Sequence, residues 1–319
     1  MTITPWRVLA PGIAELTLPP ADLARCREVV KNLAHEHAAD AAGFLWAAPG
    51  LGYLLPKVVL SALQEMRYLE AFSALAVRGD CPATGCPPTP THWSASQPAQ
   101  TLRHDIWLTL LTAQLGDPIT WAYLQDGRLF HDLLPMPGEE EAQTEHGSAA
   151  EMMLHVDEAF ADARSDAFGL VCLRNDDVVP TTVAPLAALA LPPELADVLF
   201  EARFVVEAHG LQRVRPIFTG SRSRPYIRMD FVYMRAVDGD EGADSALAAL
   251  REQALAAVVE IALAPGDVLL IDNARCLHGR RAFGARYDGT DRWLRRLAVL
   301  RDLRRTSHRR VAPDSRVLL

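Results

Sequence analysis

The sequence lacks four things, and each absence narrows the field. It has no long apolar run: stretches such as Val268 to Ile271 fall far short of the roughly 20 residues needed to span a bilayer, so no membrane partner is expected. Its opening, MTITPWRVLAPGIAEL, shows no basic n-region ahead of an apolar h-region, so no secretory signal is read there. It has little cysteine: five in 319 residues, at positions 26, 81, 86, 172 and 276. An odd number without framework spacing fits reduced thiols and a cytoplasmic protein. The one close pair, Cys81 and Cys86 in CPATGC, reads as two loop thiols, with a metal clip or a disulfide as the other readings; no second pair completes a zinc site. Finally, it lacks an excess of basic charge. Lys and Arg number 32 against 40 Asp and Glu, a net charge of −8, which argues against a nucleic-acid partner.

What is present is a chain 50% hydrophobic, enough for one large core or two small ones. No internal repeat appears. Residues 1–105 read mostly as helix. LARCREVVKNLAHEHAADAAGFLW carries apolar residues at helical spacing, and residues 56–77 read as a second helix opened by Pro56. DIWLTLLTAQLG continues as helix. PITWAYLQDGRLFHDLLPMPG reads as two strands joined through Gly127, and the acidic GEEEAQTEHGSAAE as a mobile loop. AFGLVCLRN, PTTVAP, the stretch from Phe204 to Arg235, GDVLLIDNARCLHGR and DRWLRRLAVLRDL read as strands. PPELADVLFEA and SALAALREQALAAVVEIAL read as helices. Many strands with irregular connections predict one α+β, mainly β domain over 1–319: a double-stranded β-helix (jelly roll) core over 106–319, wrapped by helices. A parallel α/β sheet is the alternative, but no strand–helix–strand rhythm persists.

MLHVDEAF carries the chemistry. On a strand, His155 and Asp157 point to one face. His278, at the end of GDVLLIDNARCLHG, supplies a third ligand. Two histidines and a carboxylate make the facial triad of non-haem iron(II) oxygenases, with open positions for a bidentate 2-oxoacid and O₂. Zinc accepts the same set, so the ligands alone leave the metal open. Downstream, DRWLRRLAVLRD places Arg292 and Arg296 on one face of a strand and Arg295 on the other. A guanidinium fork matches a carboxylate, so two such forks suit two carboxylates. The competing reading is a solvated basic edge, favoured for Arg301, Arg304 and Arg305.

HVDEAF, FGLVCLRNDDVVPTTVAPL and GDVLLIDNARCLHGRRAFGARYDGTDRWLRRL together resemble the clavaminate synthase-like branch of iron(II)/2-oxoglutarate dioxygenases, closest to its amino-acid hydroxylases. The resemblance runs from about Pro87 to Arg310. It implies iron(II) on His155, Asp157 and His278, and 2-oxoglutarate held by Arg292 with Thr182. It implies a substrate carboxylate on Arg296 and a substrate amino group on Gln125, with O₂ as co-reactant and ascorbate supportive in vitro. The branch usually carries H-x-E where this chain has H-x-D; the carboxylate itself speaks against halogenation, which needs that position open for chloride.

The resemblance also points to a substrate. Asp230, in RPYIRMDFVYM, matches the first of two aspartates that clamp a guanidinium in the arginine hydroxylase, while Val232 stands at the second. One carboxylate suits an ammonium, so the expectation is C3 or C4 hydroxylation of free lysine, then arginine. A neutral residue (asparagine, glutamine, citrulline) and a carrier-tethered amino acid are alternatives. Asp230 capping a strand or pairing with Arg228 is the structural reading. Residues 209–228 are expected to form a lid over the substrate. Glu158 stays unassigned, and oligomeric state stays open. From other classes, a metal-free jelly-roll binding protein leaves the ligands and arginines to chance, and a zinc hydrolase leaves the arginines without a role.

Overall fold

The computed structural model describes residues 6–38, 41–208 and 210–319. Two sheets lie face to face. The major sheet runs Arg7–Ala10, Ile13–Thr17, Ala74–Arg78, Val268–Asp272, Ala167–Arg174, Trp293–Leu300. Asp117–Trp121 and Phe130–Leu133 then share the far edge of Trp293–Leu300 end to end, with Val317–Leu318 outermost. The minor sheet runs Val259–Ile261, Thr181–Pro185, Cys276–Arg280, Met152–His155. All pairings are antiparallel except Ile13–Thr17 on Ala74–Arg78 and Val317–Leu318 on Asp117–Trp121. This is a jelly roll, as expected.

Alternation decides what lies between the sheets. Phe168, Leu170 and Cys172 point inward from one strand, Leu269 and Ile271 from its neighbour, Leu294 and Ala298 from the next, all packing toward Val183, Ile261 and Cys276 of the minor sheet. The opposite parity, Val171, Leu173, Leu270, Leu297 and Val299, packs outward against the helices Pro20–Glu36, Lys57–Gln64 and Pro98–Thr112. The last of these sits so close that a Cβ at Gly169 would overlap Thr112 and Leu108. The back of the minor sheet is covered by the helices Pro193–Leu199 and Glu241–Ala256 and the small sheet of Phe204–Ala208, Leu211–Arg215 and Met234–Ala236.

Several expectations change. The helix expected over 56–77 ends as a helical turn at Leu69, and Ala74–Arg78 is a strand. That run is buried on both faces, so it shows no alternation to separate it from helix. The N-terminal part is thus not simply helical; it supplies three strands of the major sheet. The later helix stops at Ala256, and Val259–Ile261 becomes an edge strand. GDVLLIDNARCLHGR is two strands in different sheets, joined by a corner at Asn273–Arg275. The 138–151 loop is folded: the Glu140 carbonyl accepts from the amides of Ser148 and Ala149, and the Gln143 side chain bridges Glu151 and Met153. Cys81 and Cys86 are both free thiols, Cys81 buried and Cys86 half-buried. Among the described residues no single helix is long and apolar enough to cross a membrane.

Candidate active site

Met152–His155 pairs with Cys276–Arg280 in a register that sets His278 directly opposite His155, with ring centroids 4.3 Å apart. A bulge beside this pair brings the Met152 carbonyl so close to Gly279 that no Cβ would fit there. Asp157 is not part of the strand, which ends at His155. It sits in the following turn, where Asn273 of the corner fixes it. The Asn273 Oδ1 accepts the Asp157 amide at 2.8 Å, and its Nδ2 donates to the Asp157 carbonyl at 3.1 Å and the Ser165 carbonyl at 3.0 Å. The two ligands therefore converge through a bonded turn, not through strand alternation.

One ligand atom from each of His155, Asp157 and His278 lies within 4.8 Å of the others. Asp157 Oδ1 is 3.2 Å from His278 Nε2 and 3.6 Å from His155 Nε2. His155 donates through Nδ1 to the Met153 carbonyl at 2.9 Å, which fixes the ring and turns Nε2 toward the carboxylate. Burial, and then the neighbouring His155, push His278 down to about 4, so it stays neutral as a ligand must. Burial pushes the Asp157 carboxyl up, but Arg296 and the two imidazoles outweigh it and hold it well below the usual range. The residues fit a divalent metal.

A cavity of about 360 Å³ opens on this triad. Arg292 and Arg296 both line it, while Arg295 points outward and pairs with Asp105 under the helix Pro98–Thr112. Arg292 is buried, and the described residues give its guanidinium no carboxylate; it donates to Thr181 Oγ1 at 3.0 Å, and Nε has no partner. Burial, then nearby Arg280, pull it down to about 10. A buried cation without a counter-ion is costly, so this end of the cavity calls for an anion. Arg296 donates to Asp157 Oδ2 at 2.9 Å and to His131 Nδ1 at 3.0 Å.

Thr182 does not join Arg292. It pairs with Gly279 on the outward face of its strand, while Thr181, one residue earlier, faces inward with Arg280. Gln125 does not line the cavity either. Its amide is spent on the backbone of Asp132, donating to the carbonyl at 3.0 Å and accepting the N–H at 2.9 Å. Asp230 does line it, beside His155. Its Oδ1 accepts the amides of Val232 and Tyr233 at 2.8 and 2.9 Å, so it caps a turn as well. Arg228 bonds the carbonyls of Ala159 and Ala161 instead of Asp230.

The expected lid is elsewhere: the hairpin of Phe218–Ser221 and Arg224–Ile227 borders a different cavity, and Tyr226 bonds Glu70. Position 209 lies outside the described residues. The mouth of the active cavity is instead bordered by Gln143–Glu145, Glu158–Phe160, Asp230 and Tyr233. Sequence reasoning missed His131, Tyr123 and Thr181. The signal for Asn273 was present, as a polar residue directly after an apolar strand.

A His–Asp–His triad at the mouth of a jelly roll, beside a buried arginine awaiting an anion, defines a non-haem iron oxygenase of the 2-oxoacid-dependent kind. The profile described as "Taurine catabolism dioxygenase TauD, TfdA family" matches residues 192–298. Enduracididine beta-hydroxylase of Streptomyces hygroscopicus is 36% identical over 301 residues, covering 83% of this chain and 87% of that protein. L-ornithine/L-arginine 3-hydroxylase of Catenulispora acidiphila is 34% identical over 298 residues, covering 83% and 87%; an L-asparagine oxygenase and an L-lysine 3-hydroxylase are 31% and 30% identical. The crystal structure of the non-heme iron oxygenase OrfP with Fe and alpha-ketoglutaric acid superposes with a TM-score of 0.89 at 36% identity, covering 96% of this chain and all of that one. The chain belongs to the TauD/TfdA family of iron(II)- and 2-oxoglutarate-dependent dioxygenases, within its amino-acid hydroxylases.

Proposed function

We propose that the protein hydroxylates a free basic L-amino acid at C3 or C4, amine-terminated lysine or ornithine ahead of arginine. His155, Asp157 and His278 would hold iron(II). Arg292, with Thr181 in place of Thr182, would hold the distal carboxylate of 2-oxoglutarate. Bound together, iron(II) and 2-oxoglutarate supply O₂ activation, with 2-oxoglutarate leaving as succinate and CO₂ and one oxygen atom delivered to a substrate C–H bond. The chain's own part is orientation and exclusion of water. Each terminal nitrogen of Arg296 keeps a further N–H for the substrate α-carboxylate. Asp230 keeps Oδ2 for the side-chain cation.

The single observation that carries the choice of a basic substrate is Asp230. A carboxylate in the cavity wall offers one oxygen and finds no Lys or Arg partner among the described residues. One oxygen suits a compact ammonium better than a guanidinium fork. The more similar relatives, named for enduracididine, ornithine and arginine, support a basic side chain; lysine as first choice rests on Asp230.

The test is succinate formation with iron(II), ascorbate and 2-oxoglutarate across the twenty amino acids, ornithine and citrulline, with mass detection of one added oxygen. Product on a basic amino acid, abolished in His155→Ala and shifted to higher KM in Asp230→Ala, is the expected outcome. Product on asparagine or glutamine alone would overturn the substrate, and succinate with no hydroxylated free amino acid would move the search to tethered ones.

A further inference from the structure

The cavity holds two acidic side chains that neither the metal site nor the side-chain pocket uses, Glu145 and Glu158; Glu145 lies 4.0 Å from His146. Glu158 follows Asp157 directly and lines the cavity wall. Its backbone sits at φ +56, a left-handed conformation uncommon for a non-glycine residue. The turn is closed by the Ala161 amide donating to the Glu158 carbonyl at 2.9 Å. This conformation aims the carboxyl into the cavity, where the Tyr123 hydroxyl donates to it. Among the described residues no Lys, Arg or His lies within ion-pair distance of Glu158.

Its neighbours locate its use. Arg296 is close enough to feel the charges of Glu145, Glu158 and Tyr123 as well as that of Asp157, and of these carboxylates Glu158 is the one bonded by Tyr123 and adjacent in sequence to Asp157. Asp230 lies on the other flank of the triad, against His155. An α-amino acid carries its carboxylate and ammonium on one carbon, so the groups that hold them must stand side by side. Arg296 with Glu158 meets that demand; Arg296 with Asp230 does not. Gln125 does not line the cavity, and the Asp132 backbone holds its amide in place.

We propose that Glu158, braced by Tyr123, receives the substrate α-ammonium group, forming with Arg296 the clamp for the amino-acid head and leaving Asp230 to the side chain. This rests on the reading of the cavity as an amino-acid site. It makes a free α-amino group a requirement for tight binding, so an acylated or peptide-linked substrate is disfavoured.

The experiment compares wild type, Glu158→Gln and Tyr123→Phe on three probes: L-lysine, 6-aminohexanoate (lysine without its α-amino group) and L-norleucine (lysine without its ε-amino group). Calorimetric Kd values are read on anaerobic protein loaded with iron(II) and 2-oxoglutarate, and KM values for lysine and 2-oxoglutarate alongside. Loss of a charge-assisted hydrogen bond predicts a roughly ten- to hundredfold weaker Kd for lysine in Glu158→Gln, with a smaller loss in the same direction for Tyr123→Phe and an unchanged KM for 2-oxoglutarate. The penalty should vanish for 6-aminohexanoate and persist for norleucine. A penalty that persists for 6-aminohexanoate, or vanishes for norleucine instead, overturns the assignment. So does full-strength lysine binding by Glu158→Gln. Failure of wild type to bind or turn over any free amino acid would remove the proposed function and this inference together, and is recognised by the wild-type protein alone.

Discussion

Thr181 and Thr182 differ by one position and by everything that surrounds them. Arg292 donates to the Thr181 oxygen, which leaves the Thr181 hydroxyl proton for whatever anion Arg292 holds. Thr181→Val should therefore raise the KM for 2-oxoglutarate about tenfold, the worth of one hydrogen bond to a charged group, whereas Thr182→Val should leave it unchanged. Equal effects of the two variants in steady-state kinetics would contradict the assignment. The pair also shows where sequence reading stops. His155, Asp157, His278, Arg292 and Arg296 stood out because metal ligands and paired arginines are chemically distinctive, and the structure gathers all five on one cavity. Which of two adjacent threonines faces inward depends on the parity of the strand against its neighbours, and a one-residue slip exchanges the faces. Gln125 failed for a related reason: its amide is consumed by a backbone turn that no spacing announces.

Strands and turns set the distances between those residues. The register of Met152–His155 against Cys276–Arg280 sets the two histidines opposite each other, and the bulge at Gly279 allows it. Gly279→Ala should force the strands apart locally. We expect iron(II) affinity to fall at least tenfold in anaerobic titration while far-ultraviolet circular dichroism stays that of wild type. Unchanged iron binding would show that the close approach does not govern the ligand spacing. The strands Ala167–Arg174 and Trp293–Leu300 were legible because they are long, apolar and flanked by polar turns. Ala74–Arg78 was not, since five residues buried on a sheet between two partners look the same as a helix end. The corner at Asn273 was marked only by the polar pair Asp272-Asn273 after an apolar run, inside what reads as one continuous strand.

Across the whole molecule, two buried histidines link the fold to pH. Burial, then Arg295, lower His104 to about 4; burial, then Arg296, lower His131 to about 3. The folded state keeps both neutral where the unfolded chain takes up protons near 6.5. Stability is then complete above about pH 6.5 and falls as pH drops toward the folded values, by about 1.4 kcal/mol per pH unit for each group. Urea midpoints measured from pH 7 to pH 4.5 should decline, and His104→Leu, which removes a side chain whose Nδ1 has no partner, should decline less steeply. Parallel slopes would discount His104 as a source. Nothing in the sequence flagged this residue, because burial depends on the helix Pro98–Thr112 lying across the sheet. Asn273 has a consequence at this scale too. It ties the corner between the sheets to Asp157 and Ser165 by contacts that involve no metal. The socket is therefore assembled by the polypeptide itself, so stripping the protein with a chelator and refilling it should be a repeatable exchange of cargo, not a cycle of collapse and refolding.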